Sequence, residues 1–133
     1  MRRLIIGFGG LCAVLIGSCS APITPPQRAA EKFLDAYYVN IDLTAAAALT
    51  EGYAASKVEE GQLLTAGQAI DASTQRPSIL YKLMKQEDVG PDETNLLYEL
   101  SITPPKASKF TKKSYIKVRR SNDQWKVALF REL

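Results

Sequence analysis

From Ala30 onward the apolar side chains recur at three- and four-residue steps (Ala30, Phe33, Leu34, Tyr37, Tyr38 and Ile41), which lays them along one broad helical stripe. Arg28, Glu31, Lys32 and Asp35 occupy the opposite side, with opposite charges three residues apart. Thr24-Pro25-Pro26-Gln27 reads as the start of this helix: Thr24 is the N-cap, Pro25 takes the first helical position and Gln27 is the capping-box partner. Asp42 then caps a second helix through residues 45–49, which Gly52 ends. A third helix runs from Tyr53 to about Leu64 and is weakened by Gly61.

Beyond the polar connector at residues 71–77 the period changes from helical to alternating. Residues 79–87, 95–103, 112–120 and 124–131 are strands. The second alternates most cleanly, with Leu96, Tyr98, Leu100 and Ile102 on one face and Leu97, Glu99, Ser101 and Thr103 on the other. Gly90-Pro91-Asp92-Glu93 turns between the first two strands, Pro104-Pro105 ends the second, and Ser121-Asn122-Asp123 makes a tight final hairpin. Helices followed by an antiparallel sheet predict an α+β domain.

Composition narrows the chemistry. The 133 residues suffice for one domain. With no histidine, and with Cys12 and Cys19 as the only cysteines, histidine triads, His-liganded zinc and disulfide scaffolds are excluded. No phosphate-binding glycine loop or nucleophile elbow occurs, so no metal and no cofactor are expected. Charge is uneven along the chain. Residues 19–99 hold six Lys or Arg against twelve Asp or Glu, net −6, and residues 100–133 hold nine against two, net +7. Lys113, Tyr115, Lys117 and Arg119 share one strand parity and form a basic face suited to an anionic partner. The alternative is a solvated outer sheet face balancing the acidic helices.

The N-terminus carries an address. Arg2 and Arg3 precede an uncharged run from Leu4 to Ser18, the layout of an export signal. The run closes Ile16-Gly17-Ser18-Cys19, which resembles the lipobox of bacterial lipoproteins: an aliphatic residue, two small residues and the cysteine that is acylated. The resemblance implies a signal peptide over residues 1–18, cleavage before Cys19, diacylglyceryl and palmitate-type acylation of Cys19, a tether over residues 19–24 and a domain over residues 25–133. Ser20 after the anchor implies an outer-membrane destination facing the periplasm. Pro22, Pro25 and Pro26 argue against an uncleaved membrane span.

Three helices followed by a meander, closed by Val118-Arg119-Arg120-Ser121-Asn122-Asp123-Gln124-Trp125-Lys126-Val127, resemble the NTF2-like superfamily, in which a curved sheet wraps a long N-terminal helix into a cone. Some members are isomerases or dehydratases that pair a carboxylate or His base with a Tyr inside the cone. In this chain Asp35 lies on the charged helix face and Glu99 opposite the apolar strand face, so neither is aimed inward. Tyr37, Tyr38, Tyr81, Tyr98 and Trp125 could line an apolar pocket, or simply fill the core.

These observations predict a membrane-anchored cell-envelope lipoprotein with a non-enzymatic binding or interaction domain. Its partners would be an envelope protein, an acidic envelope polymer through Lys113, Lys117 and Arg119, a small apolar ligand, or a second copy through the outer sheet faces. Export argues against nucleic acid. The alternative is a cofactor-free isomerase or hydratase acting on a small apolar substrate through an inward carboxylate and a Tyr.

Overall fold

The computed structural model describes residues 22–67 and 75–133. The lipobox residues Ile16, Gly17 and Ser18, the acylation candidate Cys19 and the start of the tether lie outside the described residues.

Helix α1 (Pro25–Leu34) begins where the capping signal places it: the Thr24 hydroxyl accepts from the Gln27 backbone N–H at 3.3 Å. Its apolar stripe buries Ala30, Phe33 and Leu34 completely. The expected continuation to Ile41 is not α-helical. Residues Asp35–Val39 widen into a π-turn closed by the Asn40 N–H on the Asp35 carbonyl at 2.8 Å, and Ile41 then adopts φ +52°. Helix ends usually place glycine in that left-handed position, where a β-branched side chain is rare and strained.

Helix α2 (Leu43–Ala48) is capped by Asp42, whose Oδ1 accepts the Ala45 N–H at 3.0 Å. Gly52 does not end α2, as expected from sequence, but opens α3 (Gly52–Leu64) at φ +56°. Between the two helices the chain joins the sheet. Thr50 bridges Val127, the Glu51 N–H donates to the Val127 carbonyl, and the Val127 N–H donates to the Leu49 carbonyl, each at 2.9 Å. A long-range pairing therefore decides a boundary that local propensity misplaces.

Strands β1 (Ser78–Gly90), β2 (Glu93–Thr103), β3 (Phe110–Ser121) and β4 (Gln124–Glu132) form one antiparallel meander in sequence order. Bulges interrupt the register between Leu83 and Lys85 and between Lys117 and Val118, which bends a sheet and increases its twist. The last hairpin turns on Asn122 and Asp123, at φ +52° and +60°. Both belong to the residue types that tolerate a primed two-residue turn, so no glycine is needed. The inner face of the sheet presents Leu96, Tyr98, Leu100, Ser114, Ile116, Val118, Val127 and Phe130, all buried against α1 and α3. The chain is an α+β domain of helices packed on a curved four-stranded antiparallel sheet.

Candidate functional site

Aromatic side chains gather where α1 passes into the π-turn. Phe33 packs on Tyr37 at 5.3 Å and on Phe130 at 4.8 Å between ring centres, and Tyr37 meets Tyr38 edge-on at 4.9 Å. The π-turn leaves both tyrosines half-buried. The Tyr38 hydroxyl donates to Glu132 Oε1 at 3.2 Å, and Lys112 reaches Glu132 Oε2 at 3.1 Å. On the neighbouring strands Tyr81 and Tyr98 pack edge-on at 5.9 Å, and the Tyr81 hydroxyl donates to Asp35 Oδ1 at 2.8 Å.

The Tyr98 hydroxyl is buried and finds no partner among the described residues; neither does that of Ser114, directly opposite it on β3. Burial raises the phenol of Tyr98 well above its ordinary range, and the Glu31 charge adds to the rise. Burial likewise raises Tyr38, against the effect of the nearby Ser114 hydroxyl and with that of Glu132. Tyr81 rises through burial and then through its bond to Asp35. All three are neutral donors at physiological pH.

At the mouth of the cone a cleft of about 360 Å³ is lined by Tyr37, Tyr38, Ile41, Leu43, Leu64 and Ile79 among others. A more polar cleft of about 490 Å³ adjoins it, sharing Ile41, Leu43 and Thr65 and adding Asn40, Gln62 and Arg76. The strained Ile41 lies in both. Leu63 and Leu64, at the end of α3 beside the cleft, are three-quarters exposed.

The five aromatics expected from sequence do not share one pocket. Tyr37 and Tyr38 line the mouth, Tyr81 and Tyr98 pack inside the β1–β2 half, and Trp125 stands elsewhere. Trp125 is the second residue of β4, and Tyr38's partner Glu132 is its last. Seven residues at about 3.3 Å each place the two roughly 23 Å apart along the strand. Trp125 borders a groove of about 390 Å³ with Pro25, Arg28, Lys32 and Lys126, a grouping that helix and strand periodicity, read separately, does not reveal.

Lys113, Lys117 and Arg119 alternate with the buried Ser114, Ile116 and Val118, so they lie on the outer face. Glu93 Oε1 accepts from Arg119 at 3.1 Å and lies 3.8 Å from Lys117, and Glu99 stands opposite Lys113 in the register. Acidic residues of β2 therefore interleave with the basic stripe. Both neighbours belong to the acidic first part of the chain, and only the strand register brings the two parts together.

No Asp or Glu among the described residues is buried. Asp35 is exposed, Glu99 is half-buried on the outer face, and Glu31, which the sequence did not single out, is the carboxylate whose charge bears on Tyr98. Among the described residues no cluster of His, Cys, Asp and Glu could hold a metal ion, and no helix is long and apolar enough to cross a membrane.

No family model and no curated protein matches the sequence. Solved structures do match the fold. A calcium/calmodulin-dependent protein kinase type II association domain from Thiobacillus denitrificans aligns with a TM-score of 0.61 at 14% identity, covering 84% of this chain and 97% of its own. An NTF-2 like protein of unknown function from Shewanella oneidensis gives 0.58 at 8%, covering 79% and 93%. A ketosteroid isomerase-like protein from Erwinia carotovora atroseptica gives 0.56 at 14%, covering 83% and 93%. At these identities the likeness establishes the architecture, and this architecture hosts unrelated functions.

Proposed function

We propose that the chain is a bacterial cell-envelope lipoprotein, anchored through Cys19 in the outer membrane and facing the periplasm, whose cone is a binding module for a small apolar ligand at its mouth. The lipobox Ile16-Gly17-Ser18-Cys19 supports the anchor. The observation that carries the binding role is the mouth cleft itself. Its lining is largely apolar, it includes two tyrosines, and it includes Ile41 in a conformation that costs about 1–3 kcal/mol. Strain of this kind persists where the surrounding structure overrides it, as ligand sites often do.

Two measurements test the reading. Metabolic labelling with a palmitate analogue should mark the protein and fail on the Cys19→Ser variant; equal labelling of both overturns the anchor. Native mass spectrometry of the envelope-purified protein should show a retained small molecule that Leu64→Glu and Ile79→Asp both abolish. An empty protein that also ignores added apolar ligands overturns the binding role, and the same spectra report whether it pairs with a second copy.

A second reading rests on the Tyr81–Asp35 hydrogen bond of 2.8 Å. It joins a carboxylate and a phenol, the pair a cofactor-free isomerase or hydratase needs for proton transfer. Asp35 is exposed, so a bound substrate would have to exclude water before this carboxylate became an effective base. Loss of turnover in Asp35→Asn, with the fold retained, would establish this reading over simple binding.

A further inference from the structure

The cations of the outer sheet face form ion pairs; another set, among the described residues, does not. Arg28 and Lys32 on α1 and Lys126 on β4 border the groove whose remaining lining is Pro25, Ala29, Ala48, Leu49, Gln124 and Trp125, with no carboxylate. Among the described residues none of these three cations forms an ion pair, whereas Lys112, Lys117, Arg119 and Arg120 each do. Arg28 and Lys32 are exposed, and Trp125 is half-buried with the Arg120 guanidinium 5.8 Å from its ring. Three cations outside any ion pair among the described residues, gathered around an indole, combine an anion site with the aromatic type favoured at membrane interfaces.

The chain's own arithmetic says which anion lies within reach. Pro25 is six residues from Cys19, a length that spans at most about 22 Å even when fully extended. Pro25 is itself a wall of the groove. An acyl chain on Cys19 therefore keeps Pro25, and with it this groove, within about 22 Å of the headgroups of the membrane that carries it. Arg119 faces Lys126 across the β3–β4 register, while Lys117 and Lys113 lie farther along β3.

We infer that the groove formed by Arg28, Lys32, Trp125 and Lys126 binds the phosphate headgroups of anionic lipids in the protein's own membrane, docking the hairpin end of the cone on the bilayer and turning the mouth toward the aqueous side. This rests on the Cys19 anchor proposed above. Docking is electrostatic and so weakens with salt, because exposed charges are screened beyond about 8–10 Å at physiological ionic strength.

Trp125 is the chain's single tryptophan, so its emission reports the groove without labelling. The full lipidated protein is reconstituted into phosphatidylethanolamine vesicles with or without phosphatidylglycerol, each holding a trace of brominated phosphatidylcholine as quencher. Quenching should increase with phosphatidylglycerol and fall with added salt. Arg28→Gln/Lys32→Gln removes two cations and should lower the docked-to-free ratio about thirtyfold, while Lys113→Gln/Lys117→Gln should leave it unchanged. All four positions are solvent-accessible, so both variants should fold. Palmitate on Cys19 with emission indifferent to phosphatidylglycerol, or equal losses in both double variants, overturns the groove assignment alone. Absence of palmitate overturns the anchor, and the docking that rests on it falls too.

Discussion

Strand β3 runs two chemistries one residue apart. On the inner side Ser114, Ile116 and Val118 are sealed from water, and a hydroxyl there has no partner among the described residues. On the outer side Lys117 and Arg119 share Glu93, with all three side chains still a quarter or more exposed. Burying a polar group without a partner costs free energy, whereas exposed ion pairs contribute little. The residues that look most interactive in the sequence therefore matter little to stability, and the silent ones between them matter most. The same contrast separates Lys117 and Arg119 from the cations at Trp125, which form no ion pair among the described residues.

The largest expected effect is a cavity on the inner side. Ile116→Ala should cost about 2–5 kcal/mol in denaturant unfolding, and Lys117→Ala, its neighbour, within about 0.5 kcal/mol. Comparable losses at the two positions would erase the contrast between the faces.

Tyr98→Phe sharpens it. A hydroxyl buried without a partner costs roughly 1–3 kcal/mol, so its removal should leave the protein as stable or more stable at neutral pH. A clear loss of stability would mean that the hydroxyl has a partner, such as an enclosed water.

Alkaline pH probes the same side. Burial favours the neutral phenols of Tyr98, Tyr38 and Tyr81 and lifts each above the ordinary value of about 10. Above pH 10 the unfolded chain ionises these groups while the folded chain keeps their protons, so the folded state binds more protons and stability falls as pH rises. Below about pH 10 these groups impose no slope. Thermal melts should show this decline, and Tyr98→Phe should make it shallower.

The smallest effect belongs to the outer side. Glu93→Gln should cost at most about 1 kcal/mol, yet it frees Arg119 and Lys117 and should strengthen retention on a sulfate-bearing resin. Unchanged retention would mean that Glu93 does not hold these cations in solution.

Much of the fold was legible because its signals are local. Thr24 and Pro25 start α1, the alternation from Leu96 to Ile102 defines the buried face of β2, and Asn122-Asp123 sets the last turn through backbone preferences that neighbours do not override. The errors fall where distant segments meet. Gly52 opens a helix because residues 49–51 pair with Val127. Ile41 breaks the α1 stripe because the π-turn rotates the chain before it. Trp125 leaves the tyrosines because β4 carries it to the other end of the cone.

By itself, the sequence determined the order of elements, the faces of β2 and β3 and the lipobox-like Cys19 ahead of the domain, since periodicity, capping and short motifs are properties of neighbouring residues. Only the tertiary structure decided that Glu93 shares the outer stripe with Lys117 and Arg119, that the tyrosine hydroxyls meet Asp35 and Glu132, and that Arg28, Lys32 and Lys126 surround Trp125. Charge and burial act through space, and residues nearly a hundred positions apart become neighbours only when the sheet curls around the helix.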